Sequence, residues 1–366
     1  MARPRPVVID TGECSVKIGL AGTDSPQAEV PALTAWNAAG EFLVGVDAEA
    51  VSGVAGCDLA SAVSRGLVQN WEGLEKLWQR AFSKCSLSSN SQPVLLADFA
   101  VVGRKARERA AEVLFEKLQA PALHVLRPEV LALYAAGKTS GTVLDCGEGV
   151  SHAASVMRGF LVRDSLVASN VGGRDVTSYL KMRLRRAGYC LAATRERRVL
   201  RKLKESECSL RETDGKDGTP ADGQTRPQAF LLPDGGALPI GDETRDAGEV
   251  LFSPMRIGLE ADGVHLALQR SIRACSVETR AEMCANIVVV GGTSLLDGFG
   301  ARLLRELRVQ VAKDVKIRMA LPPTRQHAVW TGGSIVASLA NFYDLATTAA
   351  AYREHGAGRI LHHDGL

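Results

Sequence analysis

The sequence lacks any apolar run long enough to cross a bilayer. Its longest runs, such as ANIVVV at 285–290, fall far short of the roughly 20 residues that a spanning helix needs. Only the apolar stretch VVI at 7–9 precedes Asp10, which is too short for the core of a signal peptide. These absences predict a soluble chain without a membrane span that stays inside the cell.

Metal-ligand and disulfide spacing are also absent. The eight cysteines are scattered, with no C-x-x-C pair and no histidines at ligand spacing. The chain also lacks a large excess of one charge, because 44 basic residues are nearly balanced by 41 acidic ones, and no basic insertion stands out. We therefore predict free thiols in a reducing compartment and no direct nucleic-acid partner.

What the sequence does contain is an alternation of strand-like and helix-like segments in both halves. The apolar strand PVLLADF, for example, is followed by the amphipathic helix RKARERAAEVLFEKLQA. Later segments predict a polar loop over 209–228, a strand at VKIRMAL and a helix from Gly333 to about Tyr343. This alternation predicts an α/β fold, and 366 residues are enough for two domains or halves.

One strand-turn-strand pattern occurs twice. VVIDTGE, which contains Asp10, aligns with TVLDCGE, which contains Asp145, and the offset is 135 residues (145 − 10). A repeat of this kind predicts a duplicated domain with one such hairpin in each half.

The tripeptide Asp10-Thr11-Gly12 has two readings. An aspartic protease would pair it with a second D-[T/S]-G turn, but Asp145 is followed by Cys146, which has no hydroxyl to support a carboxylate dyad. An α/β pattern is also wrong for an all-β protease. The alternative is phosphate binding by backbone N–H groups of two facing hairpins, whose carboxylates would face a divalent cation.

A third element agrees with phosphate or nucleoside binding. The strand NIVVV runs into the turn Gly291-Gly292-Thr293, a type of turn that allows close backbone approach to a ligand. Each motif alone is weak, because a single D-x-G or GGT is usually only a turn. Their order and spacing together favour a nucleotide cleft.

With these elements in place, the sequence resembles actin and the actin-related, actin-like proteins over essentially its whole length. The runs that carry the resemblance include VLALYAAGKTSGTVLDCGEGVSHA, GGRDVTSYL, LPDGGALPIG, NIVVVGGTSLLDGF and LPPTRQHAVWTGGSIVASLANF. The resemblance implies a bilobal actin-like ATPase fold: duplicated ribonuclease-H-like domains, four subdomains and a nucleotide cleft between the lobes.

The resemblance also implies a division of the chain. The inner subdomain of the first lobe would comprise 1–31, 60–135 and 328–366, with a small outer subdomain at 32–59. The inner subdomain of the second lobe would comprise 136–171 and 260–327, with its outer subdomain at 172–259.

Carried over by resemblance, the cleft would bind ATP or ADP with Mg²⁺ or Ca²⁺. Asp10 and Asp145 would face the cation through water, and Lys17 would reach the phosphates. Taken alone, each residue has an ordinary structural reading, and the collinear set favours a cleft but not catalysis. The full nucleotide-binding set would be Asp10, Thr11, Gly12, Glu13, Lys17, Asp145, Gly147, Glu148, Gly149, Val150, Gly173, Lys204, Glu205, Gly291, Gly292 and Thr293.

Two departures from actin predict weakened chemistry. Glu13 and Cys14 replace a small hydroxyl residue and a glycine, and a carboxylate there would repel a triphosphate unless it swings out to solvent. Pro128 stands where actin has the glutamine associated with the attacking water, near the family position matched by His152. A one-residue slip that restores a polar group from Arg127 or Glu129 stays an alternative. No catalytic residue is assigned.

Interaction surfaces are also altered. The segment PALTAWNAAGEFLVGVDAEA is shorter than the actin region with the mobile subunit-gripping loop, so actin-type self-polymerisation is not expected. The actin groove between the inner subdomains, where an amphipathic partner helix would bind, is matched by residues of this sequence. The alternative is that these residues only pack the terminal helices. The groove residues would be Tyr134, Ala135, Gly137, Thr139, Thr331, Ile335, Val336, Leu339 and Leu345.

We therefore predict a divergent actin-like cytoskeletal or scaffolding protein that acts through protein partners, with nucleotide hydrolysis weak or lost. The cytoplasm and cytoskeleton are the expected setting, with male germ cells as one specialised case and the nucleus as an alternative. Two other functions stay open: a slow ATP-binding switch, and an actin-related subunit of a nuclear chromatin-remodelling complex.

Overall fold

A computed structural model of the chain describes residues 3–99, 103–189, 191, 193–210, 228–232 and 235–360. Within these ranges no helix is both long and apolar enough to span a bilayer. The described cysteines carry free thiols.

Two main sheets organise the structure, one in each half. Strands are numbered in chain order. The first sheet has the order β19-β10-β9-β1-β2-β3. Its strands are β1 (Val7–Thr11), β2 (Ser15–Leu20), β3 (Ala28–Pro31), β9 (Val94–Ala97), β10 (Ala122–Leu126) and β19 (Thr347–Thr348).

The second sheet has the order β13-β12-β11-β17-β18, with β14 beside β12. Its strands are β11 (Gly141–Cys146), β12 (Ser151–Met157), β13 (Phe160–Leu161), β14 (Val167–Ser169), β17 (Ile287–Val290) and β18 (Met319–Ala320).

The predicted hairpin repeat is present at atomic detail. In β1–β2 the Gly12 N–H donates to the Ser15 carbonyl at 3.0 Å, and in β11–β12 the Gly147 N–H donates to the Val150 carbonyl at 3.0 Å. Asp10 is registered opposite Lys17, as Asp145 is opposite His152. Each position in the second hairpin follows its counterpart in the first by 135 residues, such as 147 − 12.

Shorter strands and the helices complete the chain. The short strands are β4 (Leu33–Trp36), β5 (Phe42–Val44), β6 (Asp58–Ser61), β7 (Val63–Ser64), β8 (Leu67–Val68), β15 (Gln228–Leu231) and β16 (Ala237–Ile240). The α-helices are α1 (Val46–Ala50), α2 (Trp71–Lys84), α3 (Arg104–Glu112), α4 (Pro128–Ala135), α5 (Gly173–Arg186), α6 (Ala193–Glu207), α7 (Asp242–Gly248), α8 (Val264–Arg273), α9 (Val277–Ala285), α10 (Phe299–Gln310), α11 (Ala328–Ala337), α12 (Phe342–Leu345), α13 (Ala349–His355) and α14 (Ala357–Ile360).

Helix α2 shows how sequence produces these elements. Its start is capped by the Asn70 side chain, which accepts the Gly73 N–H at 2.9 Å. Leu74, Leu77 and Trp78 recur at helical spacing and are fully buried against the first sheet. The Trp78 ring N–H donates to the Thr11 hydroxyl at 3.0 Å, so the helix also fixes the end of β1.

Separate apolar cores lie beneath the two sheets. One contains Ile9 and Leu96 of the first sheet, and another contains Leu144 and Val289 of the second. A third core lies between them, where α4 and α11 pack together. This arrangement of two sheets, each with its own core, matches the predicted α/β fold with two lobes.

Several predicted elements differ in their limits. The helix expected from Gly333 to Tyr343 instead spans Ala328–Ala337, and a separate short helix begins at Phe342. The segment predicted as the strand VKIRMAL pairs only at Met319–Ala320, next to β17. Most of the predicted polar loop, 211–227, lies outside the described residues. The four-part division of the chain stays a prediction.

Candidate functional site

A cavity of about 430 Å³ lies between the two repeated hairpins. Its volume falls in the range of ligand pockets, about 300–1,000 Å³. Both lobes contribute to its wall, which is the arrangement that the sequence predicts for a cleft. The predicted residues in the wall are Asp10, Thr11, Gly12, Glu13, Lys17, Pro128, Asp145, Gly147, Glu148, Gly149, Val150, His152, Lys204, Glu205, Gly291, Gly292 and Thr293.

Charged groups of opposite sign meet at the inner end of the cleft. The Lys17 ammonium lies 3.0 Å from the Asp10 carboxylate. Burial disfavours the charge of Lys17, but the carboxylates of Asp10, Glu29 and Asp145 together outweigh this effect and the pKa of Lys17 is raised. Burial also raises the pKa of Asp145, and the nearby Asp10 carboxylate adds to that shift. Two carboxylates and one lysine therefore converge where a cation and phosphates are expected.

The opposite wall is held by a second lysine–carboxylate pair. Lys204 donates to the Glu148 carboxylate at 2.7 Å and to the Gly173 carbonyl at 3.1 Å. The Thr293 hydroxyl donates to the Gly147 carbonyl at 2.8 Å. Helix α6, the Gly147–Val150 turn and the turn after β17 are thereby joined beside the cleft.

Two glycines are required by this close packing. Gly173 does not line the cavity but lies directly behind it, where an added Cβ would come within 2.6 Å of the Thr293 hydroxyl. Gly291 has φ +89°, and an added Cβ would lie 2.4 Å from the Asp145 carboxylate. The sequence motif GGT thus allows the turn after β17 to touch the second hairpin.

The Glu13 side chain does not swing out to solvent. One carboxylate oxygen accepts the Arg65 backbone N–H at 2.6 Å, and the other lies 2.9 Å from the Arg174 guanidinium. Burial raises the pKa of Glu13, although these two contacts oppose the shift. The carboxylate lies against Gly149, where an added Cβ would be 1.7 Å from it.

Helix α4 begins at Pro128, on the cavity wall. The next residue, Glu129, points away from the wall into a buried ion pair, 3.0 Å from the ring Nε2 of His152. Burial disfavours both charges, yet the His152 ring lowers the pKa of Glu129 and the carboxylate raises the pKa of His152. The contact is not aligned as a hydrogen bond, because both ring nitrogens of His152 and both carboxylate oxygens of Glu129 lack a hydrogen-bond partner among the described residues.

Three residues of the site were missed or misjudged from the sequence. Arg65 has φ +49°, a strained backbone conformation, and its turn gave the only local signal, the dipeptide Arg65-Gly66. Arg174 lies in the run GGRDVTSYL, which carried the family resemblance but no assigned role. Glu129 was considered only as the residue that a one-residue shift of the alignment would bring to the glutamine position. No feature of the sequence indicated that it pairs with His152.

Most of the predicted groove residues lie on α4 and α11 or just after these helices, and the groove itself stays a prediction. Ile335 and Leu339 are 45 % and 43 % exposed, and Tyr134 and Leu345 are partly buried beside them. Val336 differs, because it is 1 % exposed and packs in the core, so it does not face the groove. The remaining predicted groove residues are accessible at least in part: Ala135, Gly137, Thr139 and Thr331.

Similarity to known proteins extends over almost the whole chain. The family model described as Actin matches residues 1–363. The chain belongs to the actin family. Centractin of Schizosaccharomyces pombe is 33 % identical to it over 362 residues, which cover 95 % of each chain. The predicted membership of the actin family and the predicted bilobal actin-like fold are therefore confirmed, whereas the germ-cell setting stays a prediction.

Proteins of the actin family generally bind ATP or ADP with a divalent cation, and the cleft fits those groups only in part. The inner end fits, because Lys17 and the carboxylates of Asp10 and Asp145 could hold a hydrated cation and phosphates. The gap between the hairpin tips does not fit a further phosphate, since the Glu13 carboxylate already lies against Gly149. The structure thus agrees with the family ligand at one end of the cleft and disagrees at the other.

Proposed function

We propose that this actin-family protein is a scaffolding subunit of the cytoplasmic cytoskeleton, acting through protein partners rather than through nucleotide turnover. The observation that carries the proposal is the contrast between its two surfaces. The predicted groove keeps the exposed apolar residues Ile335 of α11 and Leu339 just after it, while the cleft has Pro128 at the position expected to orient the attacking water.

Proline cannot replace that glutamine chemically, because it has no side-chain donor or acceptor. The alternative reading, in which Glu129 restores the polar group, is disfavoured by geometry. Glu129 is buried against His152 and is not part of the cavity wall. The cleft therefore serves, in this proposal, to hold an adenine nucleotide and a cation as a structural ligand.

Polymerisation of the actin type is not part of the proposal. The outer segment after β4 closes in a short turn, in which the Asn37 N–H donates to the Glu41 carbonyl at 3.0 Å, and β5 follows directly. An extended loop that could reach a neighbouring subunit has no room in this connection.

We expect purified monomer incubated with Mg-ATP to release phosphate far more slowly than actin does, or not at all. Pro128→Gln restores one amide, and we expect a gain below the roughly 100-fold to 10,000-fold that one well-positioned group can supply, because Glu13 still obstructs the site. Turnover of the wild type at an actin-like rate would instead favour the slow ATPase switch. Val277→Gln, a change at the exposed start of α9 that does not line the cavity, is the control.

A second prediction concerns the groove. Ile335→Asp should abolish capture of a helical partner, because a charge would replace an exposed apolar contact in the groove without disturbing the core. The measurement is affinity capture from tissue extract followed by crosslinking, comparing the wild type with the variant. Val309→Asp changes an even more exposed apolar residue on α10 and should leave capture intact. Equal loss with both variants would show that the groove is not the docking surface.

A further inference from the structure

Glu13 joins the two lobes of the molecule. Its backbone belongs to the β1–β2 hairpin of the first sheet, whereas its partner Arg174 begins α5, which packs in the core of the second sheet. The carboxylate is only 10 % exposed. The side chain therefore crosses the mouth of the cleft and ends in the opposite lobe.

Arg65 makes a second connection across the same gap. Its guanidinium lies 2.9 Å from the Asp175 carboxylate and donates to the Asn170 carbonyl at 2.6 Å. Its backbone N–H is the one that Glu13 accepts, and its left-handed φ of +49° costs on the order of 1–3 kcal/mol. Strain at this position is offset by the contacts that it makes possible. We refer to Glu13, Arg65, Arg174 and Asp175 as the clasp.

The clasp occupies the space between the two hairpin tips. An anion gripped by both tips at once would have to contact the Gly149 backbone, and there the Glu13 oxygen lies within 1.7 Å of an ideal Cβ position. The N–H of Arg65 and the guanidinium of Arg174 are the donors that such an anion would use, and both are already engaged. The chain thus supplies its own anion at this point.

Further into the cleft, the other anion-binding groups lie clear of this carboxylate. Lys17 and Lys204 line the remaining cavity, and their ion pairs are with Asp10 and Glu148 rather than with Glu13. A ligand with a shorter anionic tail would therefore share Lys17 and Lys204 with their carboxylate partners, while a longer tail meets the Glu13 carboxylate, a like charge in a confined site.

We propose that Glu13 is a specificity-determining residue that makes the cleft select a nucleoside diphosphate over a nucleoside triphosphate. The carboxylate takes the position of a terminal phosphate and closes the lobes through Arg65 and Arg174. This inference rests on the proposed nucleotide-holding role of the cleft and specifies which nucleotide it holds.

The test is calorimetric titration of the full chain with Mg-ADP and Mg-ATP, for the wild type and for Glu13→Ser. We expect the wild type to bind ADP at least about tenfold more tightly than ATP, which is the size expected for one interaction with a charged group. Glu13→Ser should raise ATP affinity by at least about tenfold and change ADP affinity by less than about threefold, because only the terminal phosphate meets Glu13.

Two further variants separate specificity from folding. Glu13→Gln keeps the size of the side chain and the acceptor for the Arg65 N–H, so it should fold as the wild type does and raise ATP affinity less than Glu13→Ser. Glu72→Ser removes a carboxylate that is 67 % exposed on α2 and should change neither affinity. The thermal midpoint of each variant without nucleotide shows whether it is folded.

The outcomes are distinguishable. Equal affinity of the wild type for both nucleotides, or an ADP-to-ATP ratio that Glu13→Ser leaves unchanged, would overturn the inference and leave the nucleotide cleft standing. Binding of neither nucleotide by folded wild type and folded Glu13→Ser would overturn the proposed cleft and the inference with it. Selective rescue of ATP binding supports both.

Discussion

Gly332→Ala is expected to lower the free energy of unfolding by more than about 3 kcal/mol, because overpacking against rigid backbone cannot relax by moving a side chain. Gly332 lies in α11, and an added Cβ would come within 1.8 Å of the Leu131 carbonyl oxygen in α4. The two helices would have to separate. Chemical denaturation of the wild type and the variant measures the loss.

The matched control is Gly103→Ala, at the start of α3. An added Cβ there has no neighbour within 4 Å, and φ is −79°, so alanine is tolerated. Because Gly103 is the N-cap of α3, where alanine is less favourable than glycine, we expect its free energy of unfolding to fall by no more than about 1 kcal/mol. Equal midpoints for Gly332→Ala and Gly103→Ala would contradict the close packing of α4 against α11.

Separation of α4 from α11 would have consequences beyond stability. Helix α4 begins at Pro128 beside the cleft and ends at Ala135 beside the groove, a length of about 12 Å at 1.5 Å per residue. Helix α11 carries Ile335 in the groove, and its Trp330 ring N–H donates to the Val8 carbonyl of β1 at 3.1 Å. The same two helices therefore support the partner groove and the first hairpin.

The α/β class and the duplication could be predicted from the sequence because their signals are local, whereas the bilobal arrangement was implied by the resemblance to actin. Buried strands, the two D-x-G hairpins and the GGT turn each occupy a few consecutive residues, and their spacing alone indicated the duplication. The limits of the elements were predicted less well. Helix α11 begins at Ala328, five residues before the expected Gly333 (333 − 328), because composition does not mark the helical turn that starts there.

The state of the cleft could not be predicted in the same way. Whether Glu13 faces solvent or the opposite lobe depends on Arg174, which is 161 residues away in the sequence. Glu129 and His152 likewise meet only because α4 packs beside β12. Side-chain pairing between lobes has no periodicity, so only the folded structure reveals that a predicted phosphate site contains a carboxylate.

Glu129→Ala is the second change with a large expected effect. It removes one partner of a fully buried ion pair and leaves His152 without its nearest carboxylate, at a cost of about 3–5 kcal/mol in the free energy of unfolding. His152→Ala should cost a similar amount because it leaves the carboxylate uncompensated. The double variant should lose less than the sum of the two, by as much as about 3 kcal/mol, since each single change already removes the pair.

The pH dependence of this coupling follows from the two shifts. The pKa of Glu129 is lowered from 4.5, so its contribution is present above pH 4.5 and is lost as pH falls through the lowered value. The pKa of His152 is raised from 6.5, so its contribution is complete below pH 6.5 and is lost as pH rises through the raised value. A double-mutant cycle by chemical denaturation, run with chelator to remove cations near Asp145, should therefore give its largest coupling between pH 4.5 and 6.5.

The exposed pair Glu72–Lys76 serves as the control, with coupling below about 0.5 kcal/mol. Coupling at Glu129–His152 as small as at the control would mean that the buried pair is not ionised and that His152 is held neutral.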